Sequence, residues 1–147
     1  FTAYIAGGVG YEQEIAETIF DKKPIGIKTY GTISQDITDD GGYTHTIKFA
    51  RTESVNVTVK VKIDTTAEFE STGIEKIKKN IEEYINGLGV GNSVIYSALY
   101  SYIYSVSGVK KVTLLQLSTN GTTFGTSDIT IGQYQNAVCA AVNVEVN

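Results

Sequence analysis

Few residues of this 147-residue chain have the types and spacing that chemistry needs, and the first candidates form a glycine-rich loop. Gly7, Gly8 and Gly10 lie between a predicted strand and a predicted helix, where many proteins bind phosphate groups. Their spacing fits neither the dinucleotide pattern GxGxxG nor the phosphate-loop pattern GxxxxGK followed by Ser or Thr. Glu12 and Glu14 also follow at the place where an anion would lie. We therefore interpret the loop as a flexible connector rather than a nucleotide-binding site.

Metal-ligating and nucleophilic side chains are scarce. His45 is the only histidine and Cys139 the only cysteine, so the chain lacks the ligand set of a zinc site and cannot form an internal disulfide. On its predicted strand, His45 shares a face with Tyr43, Ile47 and Phe49, which favours a structural role over catalysis. The sequence thus predicts no metal ion and no cofactor.

Carboxylates are more numerous, but none is marked as part of a site. Asp36, Asp39 and Asp40 cluster at a Gly-Gly turn without the alternating ligands of a calcium-binding loop, so we predict a solvated hairpin tip. No spacing identifies a glycosidase pair among the other acids, which include Glu68, Glu70 and Asp128. The residues therefore predict a binding or structural protein and not an enzyme.

Tyrosine is the unusual feature of the composition, with ten residues and no tryptophan. Tyr96, Tyr100 and Tyr104 recur every fourth position, which places them in one row along a helix. Such a row is typical of a protein interface, because tyrosine buries a large area and keeps a polar tip. An equally good explanation is a helix over a sheet edge with its phenols in water. Lys60 and Lys62, on the polar side of an alternating strand, are weaker candidates for the interface.

The predicted elements are organised around a helix at residues 71–88. Its apolar residues recur at steps of three and four and share one face: Ile74, Ile77, Ile81, Tyr84, Ile85 and Leu88. Thr72 and Glu75 have the spacing of a capping box, while Gly87 and Gly89 favour the end of the helix. The apolar face of this helix needs a sheet or a second helix to cover it.

The segments around this helix predict both of those partners. Residues 55–63 alternate between valine or isoleucine and polar side chains, the pattern of a strand with one buried face. Residues 94–106 favour a helix over a strand, with an apolar face formed by Ile95, Leu99, Tyr102, Ile103 and Val106. Three strands are predicted after it, at 109–118, 128–131 and 138–146. This order predicts an α+β fold in which two helices pack on one face of a mainly antiparallel sheet.

The first third of the chain predicts a strand, a helix and a hairpin. The strand covers residues 1–6, and the helix covers 11–23 and ends before Pro24. The hairpin joins strands at 29–38 and 43–50. We predict two regions from this order: an N-terminal segment of strand, helix and hairpin, residues 1–50, and a C-terminal α+β domain, residues 51–147.

Composition argues against two classes of partner. The chain has 12 basic and 16 acidic residues, a net charge of −4 and no basic cluster longer than a pair, which is unlike a nucleic-acid-binding protein. No apolar run is long enough for a transmembrane helix. Because the first residue is not methionine and the chain opens within an apolar run, we expect a fragment of a longer polypeptide whose N-terminal part is missing.

An ordered series of segments resembles a known family. The segments are EIAETIFDKKPIGIKTYG, GYTHTIKFAR, YINGLGVGNSVIYSALYSYI, GVKKVTLLQLS and DITIGQYQNAV. Together they resemble the C-terminal part of the baseplate J-like proteins of contractile phage tails, in the family's order from Gly7 to Val146. The family often has a proline near position 53, where this chain has Glu53, so the turn there is expected to differ.

The resemblance implies a structural wedge component of a phage, prophage or bacteriocin baseplate. It implies contacts with other wedge and hub proteins, self-association of the full-length protein, and a place in the virion tail after assembly in the host cytoplasm. The family has no catalytic residues to carry over. The alternative that we keep open is a glycan-binding or cell-wall-degrading module of the same tail.

Overall fold

The computed structural model describes all residues from 1 to 147 and divides into two compact units, Phe1–Glu53 and Ser54–Asn147. We call them unit 1 and unit 2. Unit 1 contains β1 (Tyr4–Ile5), α1 (Glu12–Lys22), β2 (Ile33–Thr38) and β3 (Thr44–Arg51). Unit 2 contains β4 (Glu53–Thr65, which starts at the boundary), α2 (Gly73–Gly87), α3 (Ala98–Tyr104), β5 (Val109–Ser118) and β6 (Gln135–Val146). The predicted α+β fold is confirmed. None of the helices combines the length and apolar character that crossing a bilayer requires.

Unit 1 is a three-stranded sheet with one helix on it. The strand order is β1-β3-β2, in which β2 and β3 form the predicted antiparallel hairpin and β1 is parallel to β3. Ala16 of α1 is fully buried against Ile37, Ile47 and Phe49 of the hairpin. The helix ends at Lys22, directly before Lys23 and Pro24, as its sequence predicts.

Unit 2 is a second three-stranded sheet with two helices packed on one face. The strand order is β5-β4-β6, and β4 and β5 are antiparallel. The alternation predicted for β4 is confirmed, since Val57, Val59, Val61 and Ile63 are all buried. They form one core with the helical residues Ile77, Ile81, Ile85, Leu99 and Ile103.

The capping box predicted at the start of α2 is wrong. Thr72 has helical backbone angles of φ −87° and ψ −2°, and its side chain makes no capping bond. A residue in that conformation does not hold its hydroxyl over the free N–H groups of the first turn. The Thr72 hydroxyl donates instead to the Glu70 carboxylate, which also receives the Lys76 ammonium.

The helix predicted at residues 94–106 is shorter in the structure, where it is α3, and the strand predicted at residues 128–131 is absent. The helix begins at Ala98, because Val94 and Ile129 exchange two backbone hydrogen bonds of 3.0 Å in an isolated antiparallel bridge. That bridge is the only β-pairing within residues 128–131, which therefore do not form a strand. Val94 is consequently buried, whereas Ile95, predicted for the apolar face, is 41% exposed.

Candidate protein interface

The three tyrosines at four-residue spacing form one continuous row, which we call the tyrosine row. The rings of Tyr96 and Tyr100 meet edge to face with centroids 5.8 Å apart, and those of Tyr100 and Tyr104 stack at 6.5 Å. Tyr100 and Tyr104 lie on α3, and Tyr96 lies just before it. The spacing of four residues therefore places the rings side by side, as the sequence indicates.

The phenols of the tyrosine row bond to the free edge of β5. The Tyr96 hydroxyl donates to the Leu115 carbonyl over 2.9 Å, and the Tyr104 hydroxyl accepts the Val112 N–H over 3.1 Å. Farther along the same strand, Leu117 exchanges two backbone bonds of 2.8 Å with Gly125. Because β5 is an edge strand, these contacts satisfy backbone groups that would otherwise be open to another strand.

Burial changes the acid–base behaviour of Tyr96. Desolvation, followed by the hydrogen bond to Tyr100, raises the pKa of Tyr96 to about 12. The Tyr96 phenol is therefore protonated at neutral pH and remains a donor to Leu115. Tyr96 and Tyr100 are half-buried, while Tyr104 is 48% exposed. The row thus combines fixed phenols with one accessible ring.

Lys60 and Lys62 lie on the opposite face of the unit 2 sheet. Both alternate with the buried residues of β4, so they point away from the helices. The Lys60 ammonium lies 3.9 Å from the centroid of the Phe124 ring, and Lys62 pairs with Glu145 at 2.8 Å. The hydrogen bond and charge of Lys62 lower the pKa of Glu145. The structure therefore does not bring the two lysines together with the tyrosine row.

The glycine loop is closed by Arg51, a contact that the sequence did not predict. Arg51 donates to the carbonyls of Gly7 and Gly8 and pairs with Glu12 at 2.8 Å. The Gly10 N–H donates to the same Glu12 carboxylate. The hydrogen bond from Arg51 lowers the pKa of Glu12. Because the carboxylate occupies a loop N–H that a phosphate would need, this arrangement favours a structural loop.

The remaining polar candidates have structural partners. The Asp39 carboxylate accepts from the Gly41 and Tyr43 N–H groups at 2.9 Å each and contacts His45 Nε2 at 2.8 Å. The hydrogen bond with His45 lowers the pKa of Asp39. No group of three or more His, Cys, Asp or Glu side chains is placed to hold a metal ion. The acidic turn and His45 therefore contribute contacts within the hairpin.

Two further groups have no reactive arrangement. Burial, with a smaller contribution from the Glu82 carboxylate, raises the pKa of the Cys139 thiol, which disfavours the nucleophilic thiolate. The Asp128 carboxylate accepts the backbone N–H of Tyr96 at 2.8 Å and so holds the start of the tyrosine row.

Sequence reasoning missed an accumulation of exposed apolar side chains in unit 1. Of the twelve large hydrophobic residues that are exposed in the chain, eight belong to residues 1–53. Ile25, Ile27 and Tyr30 follow Pro24 within one short segment, and Ile25 is fully exposed. The run PIGIKTYG carried the signal, since three large apolar residues there fit neither a helical nor a strand period.

Comparison with known families identifies the C-terminal part of the chain. The family described as Baseplate J-like protein C-terminal domain matches residues 54–145, nearly the whole of unit 2. No curated protein matches the chain.

Proposed function

Because this chain belongs to the baseplate J-like family through its C-terminal domain, a family with a structural role in phage-tail baseplates, we propose that it makes protein–protein contacts during assembly of the baseplate wedge of a contractile tail. Its partners are other wedge and hub proteins, and the full-length protein associates with itself. It acts in the virion tail after assembly in the host cytoplasm. The family match over residues 54–145 is the observation that carries this proposal.

The tyrosine row is the surface of unit 2 that best suits such a contact. Tyr96, Tyr100 and Tyr104 are already held in place by one another and by β5. Binding a partner would therefore cost little side-chain conformational entropy. Tyrosine is also enriched among the residues that dominate interface energies. Tyr104 is the most exposed of the three, so we expect a partner to contact this residue directly.

Lys60 and Lys62 supply a second, weaker surface on the other face of the sheet. With Leu114, Glu145 and Lys78 of α2 they line a cavity of about 310 Å³. Lys62 is already paired with Glu145, whereas Lys60 contacts only the Phe124 ring through its ammonium. We expect such partly exposed charges to guide partner choice more than to supply affinity.

Replacing Tyr104 tests the proposed interface. We expect Tyr104→Ala to weaken association with the neighbouring tail proteins by about tenfold, the effect of removing an aromatic anchor. Tyr104→Phe keeps the ring and should retain most of the affinity. The measurement is co-sedimentation of the chain with co-expressed baseplate proteins, after circular dichroism shows that each variant is folded.

Tyr134→Ala is the matched control, because Tyr134 is also 48% exposed and lies outside the row. Its association should equal that of the unmodified chain. Equal association of the Tyr104→Ala and Tyr134→Ala variants would remove the row from the interface. If that result came with binding to purified peptidoglycan, it would favour the glycan-binding alternative.

A further inference from the structure

The middle strand of unit 1 has an edge that is only partly covered. β1 pairs with β3 at two positions, Tyr4 with Ala50 and Ile5 with Arg51. No strand lies beside the rest of that edge, from Thr44 to Lys48. The other edge of β3 is covered over six residue pairs by β2.

The backbone groups of alternate β3 residues point to the uncovered edge. On the β2 side, the Tyr43 carbonyl accepts the Asp39 N–H. On the β1 side, the Ala50 N–H donates to Ala3 at 2.9 Å. Successive residues of a strand point their backbone N–H and C=O groups to opposite sides. The backbone groups of the even-numbered β3 residues therefore point to the β1 side.

Thr44, Thr46 and Lys48 are the even-numbered residues beyond the reach of β1. The Lys48 N–H donates to the Thr29 hydroxyl at 2.8 Å, a side-chain substitute for a strand partner. The N–H and C=O groups of Thr44 and Thr46 are left facing outward. They offer another chain the hydrogen bonds of one added strand.

A groove of about 940 Å³ runs along this same edge. The uncovered part of β3 forms one wall, and the segment at residues 25–30 forms the other. Ile25, Ile27 and Tyr30 on that segment are among the exposed apolar residues of unit 1. The groove therefore combines open backbone groups with apolar side chains, the two requirements for binding an extended segment.

The edges of the unit 2 sheet differ, because β5 and the first part of β6 have hydrogen-bonded cover. The tyrosine row and Gly125 bond to β5. On β6, the Asn86 side chain accepts the Cys139 N–H, and the Gly91 N–H donates to Gln135. In unit 1 the outer edge of β2 is also uncovered, but it carries Asp36 rather than an apolar wall.

The charges around the groove indicate the chemistry of its occupant. Lys23, Lys28 and Lys48 line it, and none of the three makes an ion pair. Of the two acids in the lining, Asp39 is paired with His45, which leaves only Asp21. The rim is therefore complementary to an acidic side chain.

We propose that this groove receives an extended segment of a partner protein, which adds as a strand to β3 at Thr44 and Thr46. The segment carries apolar side chains at alternate positions and an acidic residue that meets Lys48. The inference is independent of the function proposed for unit 2, because every residue that it uses belongs to unit 1.

A synthetic peptide provides the first test. The probe is a fluorescent peptide of alternating valine and threonine with a central glutamate, titrated into the full chain and followed by anisotropy. We expect saturable binding, together with slower hydrogen exchange of the Thr44 and Thr46 amides. A lack of saturable binding, or binding that leaves both amides unprotected, would overturn the proposal.

Two variants separate the backbone contribution from the charge. Thr46→Pro removes one outward N–H and spares the backbone hydrogen bonds to β2, but it also removes the Thr46 hydroxyl bond to Asp36. It should lower the affinity for the peptide by about tenfold. Its control is Ser34→Pro, the same change on the uncovered edge of β2, which should leave binding unchanged. Lys48→Glu should weaken binding about fivefold at low salt, whereas Lys22→Glu, outside the groove lining, should not.

The variants also decide between a partner segment and a second copy. Binding undiminished in both Thr46→Pro and Lys48→Glu would overturn strand addition at this edge. If Thr46→Pro does not fold, Lys48→Glu and the exchange measurement still decide the outcome. Self-association of the unmodified chain that Lys48→Glu abolishes would assign the groove to a second copy and contradict a separate partner protein.

Discussion

At the scale of residues, the side chains that first suggested chemistry stabilise the local structure through hydrogen bonds and ion pairs. Asp39 and His45 hold the hairpin turn, and Arg51 closes the glycine loop through Glu12. Their pairing explains the lowered pKa of Asp39 and of Glu12 without a catalytic role. The sequence could predict the structural histidine from strand parity. It could not predict Arg51, because that contact joins residues 39 positions apart.

Gly108 is a residue whose backbone the fold depends on. It has φ +84°, its carbonyl accepts the Thr66 N–H at 2.8 Å, and a Cβ there would lie 2.3 Å from the Phe69 nitrogen. Gly108→Ala should therefore lower the free energy of unfolding by about 2–5 kcal/mol, through conformational strain and a backbone clash. Urea denaturation measures the loss.

Gly121→Ala is the control for this prediction, since Gly121 has φ +73° with nothing near its Cβ position. This substitution should lower the free energy of unfolding by the conformational strain alone, about 1–2 kcal/mol. Equal losses in the two variants would show that the approach to Phe69 is unimportant.

At the scale of elements, hydrophobic period predicted most of the fold. The valine alternation of β4 and the three-and-four spacing of α2 are strong local patterns, and the structure follows both. The errors lie where other interactions decide. Thr72 is a residue type that often caps helices, but its backbone angles are helical and it makes no capping bond. Residues 128–131 form only one β-bridge, between Ile129 and Val94, and not a strand.

The edge of β5 leads to a prediction at this scale. Tyr96→Phe combined with Tyr104→Phe keeps both rings but leaves the Leu115 carbonyl and the Val112 N–H without partners. We expect the edge to become available to other chains, so the average mass from light scattering should rise with protein concentration. We also expect about 1–3 kcal/mol less stability for each lost bond that stays buried.

Tyr134→Phe removes a hydroxyl outside the tyrosine row and serves as the control. A double variant that matches this control in both mass and stability would show that the phenols are not needed to protect β5.

At the scale of the whole molecule, the two units differ in how far the edges of their sheets are covered by other residues. Unit 2, which carries the family match, has cover on β5 and on the first part of β6 and presents a fixed row of tyrosines. Unit 1 has an open edge beside an apolar groove. The sequence predicted the tyrosine row because its spacing is local. It could not predict the groove, which depends on the distance between residues 25–30 and β3.

The division of labour between the two parts of the chain stays a prediction. The sequence predicts residues 1–50 and 51–147 as separate regions, and the compact units are Phe1–Glu53 and Ser54–Asn147. We expect residues 51–147 to supply the baseplate contact and the N-terminal segment to supply an independent binding groove.

The most direct test of the proposed function is an electron cryo-microscopy map of the assembled tail that contains the full-length protein. We predict that residues 54–145 lie in the baseplate, with Tyr104 covered by a neighbouring subunit. A map in which these residues lie in the baseplate but the tyrosine row faces solvent would contradict the proposed interface. A map that places them outside the baseplate would contradict the proposed function itself.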